Sequence, residues 1–154
     1  HKICLKIFWI KIKTFVKVSI NFPILLISNH ASYLDIIILG SLFKTSFIAK
    51  KEISKWPLLG ILAKLQNTIF IDRRVSSLKK QENQIIKHLN EKKNLVIFPE
   101  GTSSDGNRVL PFKSSLFNIF EKNLNSKILV QTITIVYKKI NGIPMNRIER
   151  KNIT

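Results

Sequence analysis

Short apolar runs alternate with longer helix-like segments along most of this chain. Five runs have the length of strands: residues 23–27, 46–50, 68–71, 94–98 and 128–137, the last being the longest. Other segments have the length or the apolar periodicity of helices: residues 33–43, 57–65, 75–91 and 113–122. Such alternation predicts an α/β fold with a mixed, largely parallel sheet flanked by helices. The ligand crevice of such a sheet lies at the carboxyl ends of its strands.

The first strand end carries a histidine, His30, just before the helical segment at 33–43. A neutral imidazole can take a proton from a hydroxyl near neutral pH, as a general base does. Asp35 could accept from one ring nitrogen, provided that His30 precedes the helix and folds back, because a spacing of five is about 140° off-face. The alternative is that His30 caps the helix and Asp35 is a first-turn carboxylate favoured by the helix dipole.

The third strand-like run ends in two adjacent arginines. Asp72, Arg73 and Arg74 follow residues 68–71 directly. Arginine presents a rigid fork of donors that suits phosphate or carboxylate, so this strand end could bind an anion. The alternative is a solvated turn in which the aspartate pairs with an arginine.

The fourth strand-like run opens into a glycine-containing loop over residues 99–108. Glu100 could accept a hydrogen bond from a substrate hydroxyl, and the Gly101 and Thr102 amides could donate to an oxyanion. Glycine permits a positive φ and a close approach of the backbone to a ligand. The alternative is a long surface loop that precedes a capped helix.

A net charge of +17, from 26 basic and 9 acidic residues, indicates an anionic partner: nucleic acid, a membrane surface or a phosphorylated substrate. A nucleic-acid module would gather its basic residues with exposed stacking aromatics. Here the lysines are dispersed and most phenylalanines lie inside apolar runs, which disfavours nucleic acid. The single cysteine, Cys4, excludes an internal disulfide and a cysteine-rich metal site.

Residues 1–20 are apolar with interspersed lysines. If the segment is helical, several lysines share one narrow face: Lys2, Lys6, Lys13 and Lys17. Its remaining surface is largely apolar, which suits a helix lying in a membrane interface. The alternative is an ordinary amphipathic helix packed on the domain. No uncharged run of about 18 residues is present, so no complete transmembrane helix is predicted.

Four short blocks follow one another along the chain: Asn29-His30 with Asp35, Lys51-Glu52-Ile53 with Pro57 and Gly60, Phe70 to Arg73, and Phe98 to Thr102. In order and spacing these blocks resemble the glycerolipid acyltransferase family, whose best-known members are the 1-acylglycerol-3-phosphate acyltransferases. The resemblance covers residues 23–147 and implies the glycerol-3-phosphate acyltransferase-like α/β fold.

The resemblance implies a lysolipid O-acyltransferase in which His30, assisted by Asp35, is the general base. An acceptor hydroxyl attacks the thioester of acyl carrier protein or acyl-CoA, and no acyl-enzyme, metal or other cofactor is implied. Other positions are expected to bind the acceptor: Arg73, Glu100, Gly101 and Thr102. Further positions are expected to support the site: Asn29, Lys51 and Lys113.

The acceptor is left open by the sequence. The resemblance implies 1-acylglycerol-3-phosphate, hence phosphatidate as product in phospholipid synthesis, but many such enzymes carry an arginine where this chain has Ser103. The residues Val130-Gln131-Thr132 stand where a Val-Pro pair is usual. The runs at 101–114 and 141–144 look more like the branch that acylates lyso-ornithine lipid, whose acceptor has no phosphomonoester.

We therefore expect a membrane-associating segment over residues 1–20 and an acyltransferase domain, incomplete at both ends, over residues 21–154. A first residue other than methionine, His1, indicates a piece of a longer protein. Membrane lipids and the acyl donor are the expected partners, with no nucleic acid, and the location is the cytoplasmic face of a bacterial inner membrane. The remaining alternative is a non-catalytic basic module that binds membrane or nucleic acid.

Overall fold

The computed structural model describes residues 1–15, 24–57, 59–72, 78–106, 108–114, 117, 120, 128–140 and 142–145. Its helices are α1 (Lys2–Ile7), α2 (Leu34–Leu42), α3 (Leu59–Leu65) and α4 (Leu78–Asn90), with a 3-10 turn at Lys51–Lys55. Its strands are β1 (Ile24–Ser28), β2 (Thr45–Lys50), β3 (Ile69–Ile71), β4 (Asn94–Ile97), β5 (Leu129–Ile133), β6 (Lys139–Ile140) and β7 (Ile143–Pro144).

Among the described residues, five strands form one parallel sheet in the order β3-β2-β4-β1-β5. β6 and β7 pair separately as an antiparallel hairpin. β1 lies between β4 and β5, so Leu25 is opposite Leu95 on one side and Val130 on the other. The predicted α/β fold with a largely parallel sheet is confirmed. Because these strands run the same way, the segments that follow β1, β4 and β5 meet at one edge.

Successive side chains of the buried strands pack against helices on opposite faces of the sheet. On one face, Leu25 packs with Ile85 and Leu89 of α4. On the other face, Leu26 packs in a cluster with Leu39 of α2. All five side chains are buried, and each contributes about 1.5–3 kcal/mol through the hydrophobic effect. With both faces covered, polar groups of the sheet come together at its two ends.

The N-terminal segment is helical only over Lys2–Ile7, so the amphipathic helix expected in residues 1–20 is not confirmed beyond Ile7 in the described part. Trp9 has a φ of 53°, and the amides of Trp9 and Ile10 bond back to helix carbonyls at 3.1 and 2.9 Å. This Schellman arrangement ends the helix. The chain from there to residue 15 has no regular structure, and residues 16–20 lie outside the described part.

The last strand of the sheet is shorter than predicted, because β5 ends at Ile133 rather than at residue 137. Two residues later, the amide and carbonyl of Ile135 are bonded by the side chain of Asn29 instead of by a neighbouring strand. At Ile135 these two bonds take the place of the backbone hydrogen bonds that a neighbouring strand would otherwise make. Residues 134–137 therefore leave the sheet at its carboxyl edge, beside the segment that follows β1.

The segment between β2 and β3 contains a 3-10 turn and α3, where one helix over 57–65 was predicted. Gly60 allows the two to pack closely, since a β-carbon there would lie 2.7 Å from the Ser54 carbonyl oxygen. The predicted helix at 75–91 contains α4, and its residues 75–77 lie outside the described part. Most of the predicted helix at 113–122 also lies outside it.

Candidate active site

The structure brings His30 and Asp35 together at the carboxyl end of β1. β1 ends at Ser28 and α2 begins at Leu34, so His30 precedes the helix and folds back toward its first turn. The His30 Nδ1 atom lies 2.9 Å from the Asp35 Oδ2 atom. Tyr33 occupies the N-cap position, and the first helix amide, that of Leu34, donates to the Ser32 Oγ atom at 3.2 Å, so the alternative in which His30 caps the helix is wrong.

The Asp35 carboxylate is completely buried and surrounded by donors. Its Oδ2 atom accepts from the amides of Ala31 at 2.7 Å and Ser32 at 2.9 Å. Because amides only donate, this oxygen is an acceptor, and the His30 Nδ1 atom carries the proton shared with it. In the neutral ring Nε2 is then the nitrogen without a proton, and the His30 side chain keeps 12% of its surface accessible. A general base requires this protonation state.

The His30 ring is held between neighbouring side chains and its own loop. Its face stacks on Phe98, with centroids 4.2 Å apart, and its edge meets Tyr33 at 6.4 Å. Phe98 follows β4, the strand next to β1. The His30 carbonyl accepts from the Ser104 amide at 2.9 Å. These contacts orient the imidazole before any substrate binds.

A tyrosine that the sequence analysis did not single out completes this cluster. The Tyr137 hydroxyl donates to the Asp35 Oδ1 atom at 2.5 Å. Burial raises the pKa of Tyr137, and the charge of Asp35 raises this pKa further, so the phenol remains protonated and keeps donating. The available signal was composition, because Tyr137 is one of only two tyrosines in the chain and it ends the last β-like run.

Asn29 supports the site through the backbone of the segment after β5. Its Nδ2 atom donates to the Ile135 carbonyl at 3.0 Å, and its Oδ1 atom accepts from the Ile135 amide at 2.8 Å. A primary amide can make both bonds at once because it carries a donor and an acceptor. Asn29, predicted to support the site, therefore bonds both backbone polar groups of Ile135, and both of its own side-chain polar atoms are engaged.

The loop after β4 is braced by the residues predicted to bind the acceptor. The Glu100 side chain is buried, and its Oε2 atom accepts from the Leu110 amide at 3.0 Å. Gly101 has a φ of 68°, and its amide donates to the Phe98 carbonyl at 3.0 Å. That amide is engaged within the turn, which corrects the expectation that it donates to an oxyanion. Thr102 is exposed.

Lys113 lies beside this turn. Its amide donates to the Pro99 carbonyl at 2.8 Å, and a β-carbon added at Gly101 would lie 3.3 Å from the Lys113 Cγ atom. Glycine at 101 therefore provides both the positive φ and the room that the Lys113 stem occupies. The Lys113 backbone closes the loop, and its side chain is exposed.

Lys51 of the second block directly follows β2, and Asp72 of the third block directly follows β3. Lys51 Nζ lies 3.3 Å from Asp72 Oδ2, in a pair whose lysine is largely exposed. Exposed pairs of this kind contribute at most about 1 kcal/mol. Arg73 and Arg74 lie outside the described residues, so the predicted anion-binding role of Arg73 stays a prediction.

A cleft of about 290 Å³ adjoins the histidine on the side of the 134–137 segment. Asn29 and Ala31, the two neighbours of His30 in the chain, line it together with Glu100 and Arg108. Arg108, in the loop after β4, is exposed. A substrate group in this cleft would therefore meet both a cation and the residues that flank His30.

Within the described residues, no group of three or more His, Cys, Asp or Glu side chains is placed to hold a metal ion. None of the described helices has the length and apolar character needed to cross a membrane.

Several known proteins are similar to this chain in sequence. A lyso-ornithine lipid O-acyltransferase from Brucella abortus is 39% identical over 96% of this chain, and one from Rhizobium meliloti is 34% identical over 97%. A 1-acyl-sn-glycerol-3-phosphate acyltransferase from Neisseria gonorrhoeae is 37% identical over 61% of this chain and 37% of its own length. The chain spans 57% and 53% of the lengths of the first two relatives.

The fold is also that of a solved enzyme. The crystal structure of the 1-acyl-sn-glycerophosphate acyltransferase PlsC from Thermotoga maritima matches with a TM-score of 0.51 and 33% identity, over 64% of this chain and 39% of that one. The profile of the Acyltransferase family matches residues 11–136, which include the parallel sheet, the His30–Asp35 pair and the loop after β4. The chain therefore belongs to the acyltransferase family.

Proposed function

We propose that the protein transfers a fatty acyl group from an acyl thioester to the free hydroxyl of a lysolipid, with lyso-ornithine lipid as the acceptor. The observation that carries the chemistry is the His30–Asp35 pair, in which Nδ1 donates at 2.9 Å to a buried carboxylate and Nε2 is left as the acceptor. None of the four sequence blocks contains a cysteine that could be acylated, which agrees with direct transfer.

In the proposed reaction, the His30 Nε2 atom takes the proton of the acceptor hydroxyl while the oxygen attacks the thioester carbonyl carbon. The new carbon–oxygen bond forms, the carbon–sulfur bond breaks, and the imidazolium returns its proton to the leaving thiolate. Asp35 stabilises the imidazolium between these two steps and keeps the proton on Nδ1. The donor thiol belongs to acyl carrier protein or coenzyme A, and no cofactor takes part.

Lyso-ornithine lipid is the first candidate acceptor for two reasons. The relatives similar to nearly the whole chain carry the name lyso-ornithine lipid O-acyltransferase. Ser103 also stands where an arginine for the phosphate would be expected. Lysophosphatidate is the second candidate, because the Neisseria enzyme and the Thermotoga structure are similar to parts of this chain.

For binding of the acceptor headgroup, we retain Arg73 and Thr102 as proposed contacts. Glu100 and Gly101 shape the loop around that site, through their bonds to the Leu110 amide and the Phe98 carbonyl. Lys51 is proposed to support the neighbouring strand ends through its pair with Asp72.

We further propose that residues 1–20 associate with a membrane and that residues 21–154 belong to the catalytic domain. Large apolar side chains of the N-terminal segment are exposed: Ile3, Ile7, Phe8, Trp9 and Phe15. They alternate with lysines, and each basic residue near an anionic bilayer contributes about 1 kcal/mol of attraction. The proposed location is the cytoplasmic face of a bacterial inner membrane, where acyl carrier protein and acyl-CoA are available.

The direct test is acyl transfer by the detergent-extracted full-length protein, with His30→Ala as the blank. Each donor, acyl carrier protein or acyl-CoA, is offered with lyso-ornithine lipid and, in parallel, with lysophosphatidate. Transfer to lyso-ornithine lipid supports the proposal. Transfer to lysophosphatidate alone would overturn the acceptor, and inactivity of the wild type with both acceptors would overturn the activity. Ser103→Arg is the matched variant, expected to gain rate with lysophosphatidate relative to lyso-ornithine lipid.

A further inference from the structure

We infer that Tyr137 and Asn29 act together as positioning residues for the catalytic pair, an inference that rests on the proposed general-base role of His30. Tyr137 donates to Asp35 across 102 positions of sequence. Asn29 holds the backbone two residues before Tyr137. The two residues are thus linked: Asn29 bonds Ile135, Tyr137 follows two positions later and bonds Asp35, and Asp35 bonds His30, the neighbour of Asn29.

Tyr137 determines the orientation of the Asp35 carboxylate. Two loop amides and the His30 ring bond Oδ2, whereas Oδ1 receives the Tyr137 hydroxyl at 2.5 Å. A carboxylate bonded on only one oxygen keeps some freedom to rotate about its Cβ–Cγ bond, whereas hydrogen bonds on both oxygens define its plane. The direction in which the carboxylate accepts from His30 then follows from Tyr137. Because Asp35 is completely buried, water does not readily replace this donor.

Asn29 determines where Tyr137 lies. β5 ends at Ile133, and the sheet ladder no longer guides the chain beyond it. The paired bonds from Asn29 to Ile135, at 3.0 and 2.8 Å, hold the next residues against the segment after β1. Asn29 directly precedes His30. The same short segment therefore contains both the proposed base and the residue whose hydrogen bonds hold the backbone next to Tyr137.

The test compares Tyr137→Phe, Asn29→Ala and the double variant in the full-length protein. Tyr137→Phe is expected to lower kcat about tenfold with each KM within about twofold, because misplaced reacting groups cost up to about 10²-fold in rate. Asn29→Ala is expected to lower kcat similarly. The double variant should fall less than the product of the two single effects, since each removes the same positioning.

The matched control is Ser46→Ala, which removes a buried hydroxyl that donates to the Gln66 carbonyl at 2.9 Å at the opposite end of the sheet. It is expected to lower Tm while kcat stays at the wild-type value. An unchanged kcat in Tyr137→Phe, or multiplicative effects of Tyr137→Phe and Asn29→Ala, would overturn the inference.

A readout without turnover separates this inference from the proposed function. In histidine-selective ¹⁵N spectra, the wild-type His30 ring should carry its proton on Nδ1, with the signal assigned by its loss in His30→Gln. Tyr137→Phe should produce a mixture of the two ring tautomers, and Ser46→Ala should not. If the wild type transfers no acyl group but this tautomer shift occurs, the function fails and the positioning stands. An unshifted tautomer in Tyr137→Phe contradicts the positioning.

Discussion

The two ends of the parallel sheet each have a histidine nearby, buried at the amino end and partly accessible at the carboxyl end, and their polar groups are used differently. At the amino end, the Asn94 side chain accepts from the Ile24 amide at 3.0 Å and donates to the Lys44 carbonyl at 3.1 Å. The Asn94 side chain thus provides hydrogen-bond partners for backbone groups where β1 and β2 begin. At the carboxyl end, His30, Asp35 and Tyr137 bond to one another. Only the second arrangement leaves a ring nitrogen beside a buried charge.

The two histidines differ in the same way. His88 lies near the end of α4, and burial lowers its pKa, with the Lys93 charge acting in the same direction and the Asn94 backbone and the Glu91 charge opposing it. Its Nε2 atom is buried with no hydrogen-bond partner in the described part of the chain. His30 faces the Asp35 carboxylate and remains partly accessible. A histidine is thus a structural element at one end and a candidate base at the other, and the hydrogen bond to a buried carboxylate makes the difference.

The largest expected effect separates the two histidines by activity. His30→Ala should lower kcat about 10³-fold, because it removes the proposed general base. His88→Ala should lower Tm and leave kcat near the wild-type value, because His88 lies at the other end of the sheet. Acyl transfer and thermal unfolding of both variants test this contrast. A His30→Ala enzyme with more than a tenth of the wild-type kcat would remove the base assignment.

A second prediction concerns the charge that distinguishes the two ends. Asp35→Asn should lower kcat on the order of 10²-fold, because the neutral amide no longer stabilises the imidazolium. It should also lower the free energy of unfolding by about 1–3 kcal/mol, because an amide nitrogen would face buried donors. Steady-state rates and denaturant unfolding measure the two effects. Loss of stability without loss of kcat would make Asp35 purely structural.

The third prediction concerns the amino end of the sheet, where a substitution should affect stability and not kcat. Asn94→Ala should lower the free energy of unfolding by about 1–3 kcal/mol, since the Ile24 amide and the Lys44 carbonyl would each lose their described side-chain partner. The kcat of the folded fraction should not change. Denaturant unfolding together with initial rates at low temperature makes the comparison. A fall in kcat at full folding would mean that the two ends are coupled.

The smallest expected effect is a pH dependence of stability. The pKa of His88 is lowered in the folded state, so the unfolded chain binds its proton more readily as pH falls through about 6.5. Stability from this group is therefore full above that pH and declines below it. The drop in Tm from pH 7.5 to pH 5.5 should be smaller in His88→Gln than in the wild type. An equal drop in both proteins would contradict the assignment.

The local sequence predicted which residues lie at the carboxyl end of the sheet better than it predicted the contacts that these residues make. The His30–Asp35 spacing and the end of the apolar run placed both side chains at one strand end, and the structure brings them to 2.9 Å. The engagement of the Gly101 amide with the Phe98 carbonyl was missed, because it depends on the turn that follows β4. The end of the first helix was missed as well, since a tryptophan at a positive φ has no strong sequence signal.

The sequence by itself determined the α/β class with helices flanking the sheet, and it placed His30 and Asp35 five positions apart after one strand. Each of these depends on periodicity or spacing within a window of a few residues, where covalent geometry limits the possible contacts. Only the tertiary structure decided that β5 lies beside β1, and hence that Asn29 bonds Ile135 and Tyr137 reaches Asp35. These partners are separated by 106 and 102 positions. Strand order, which no local pattern encodes, brings them together.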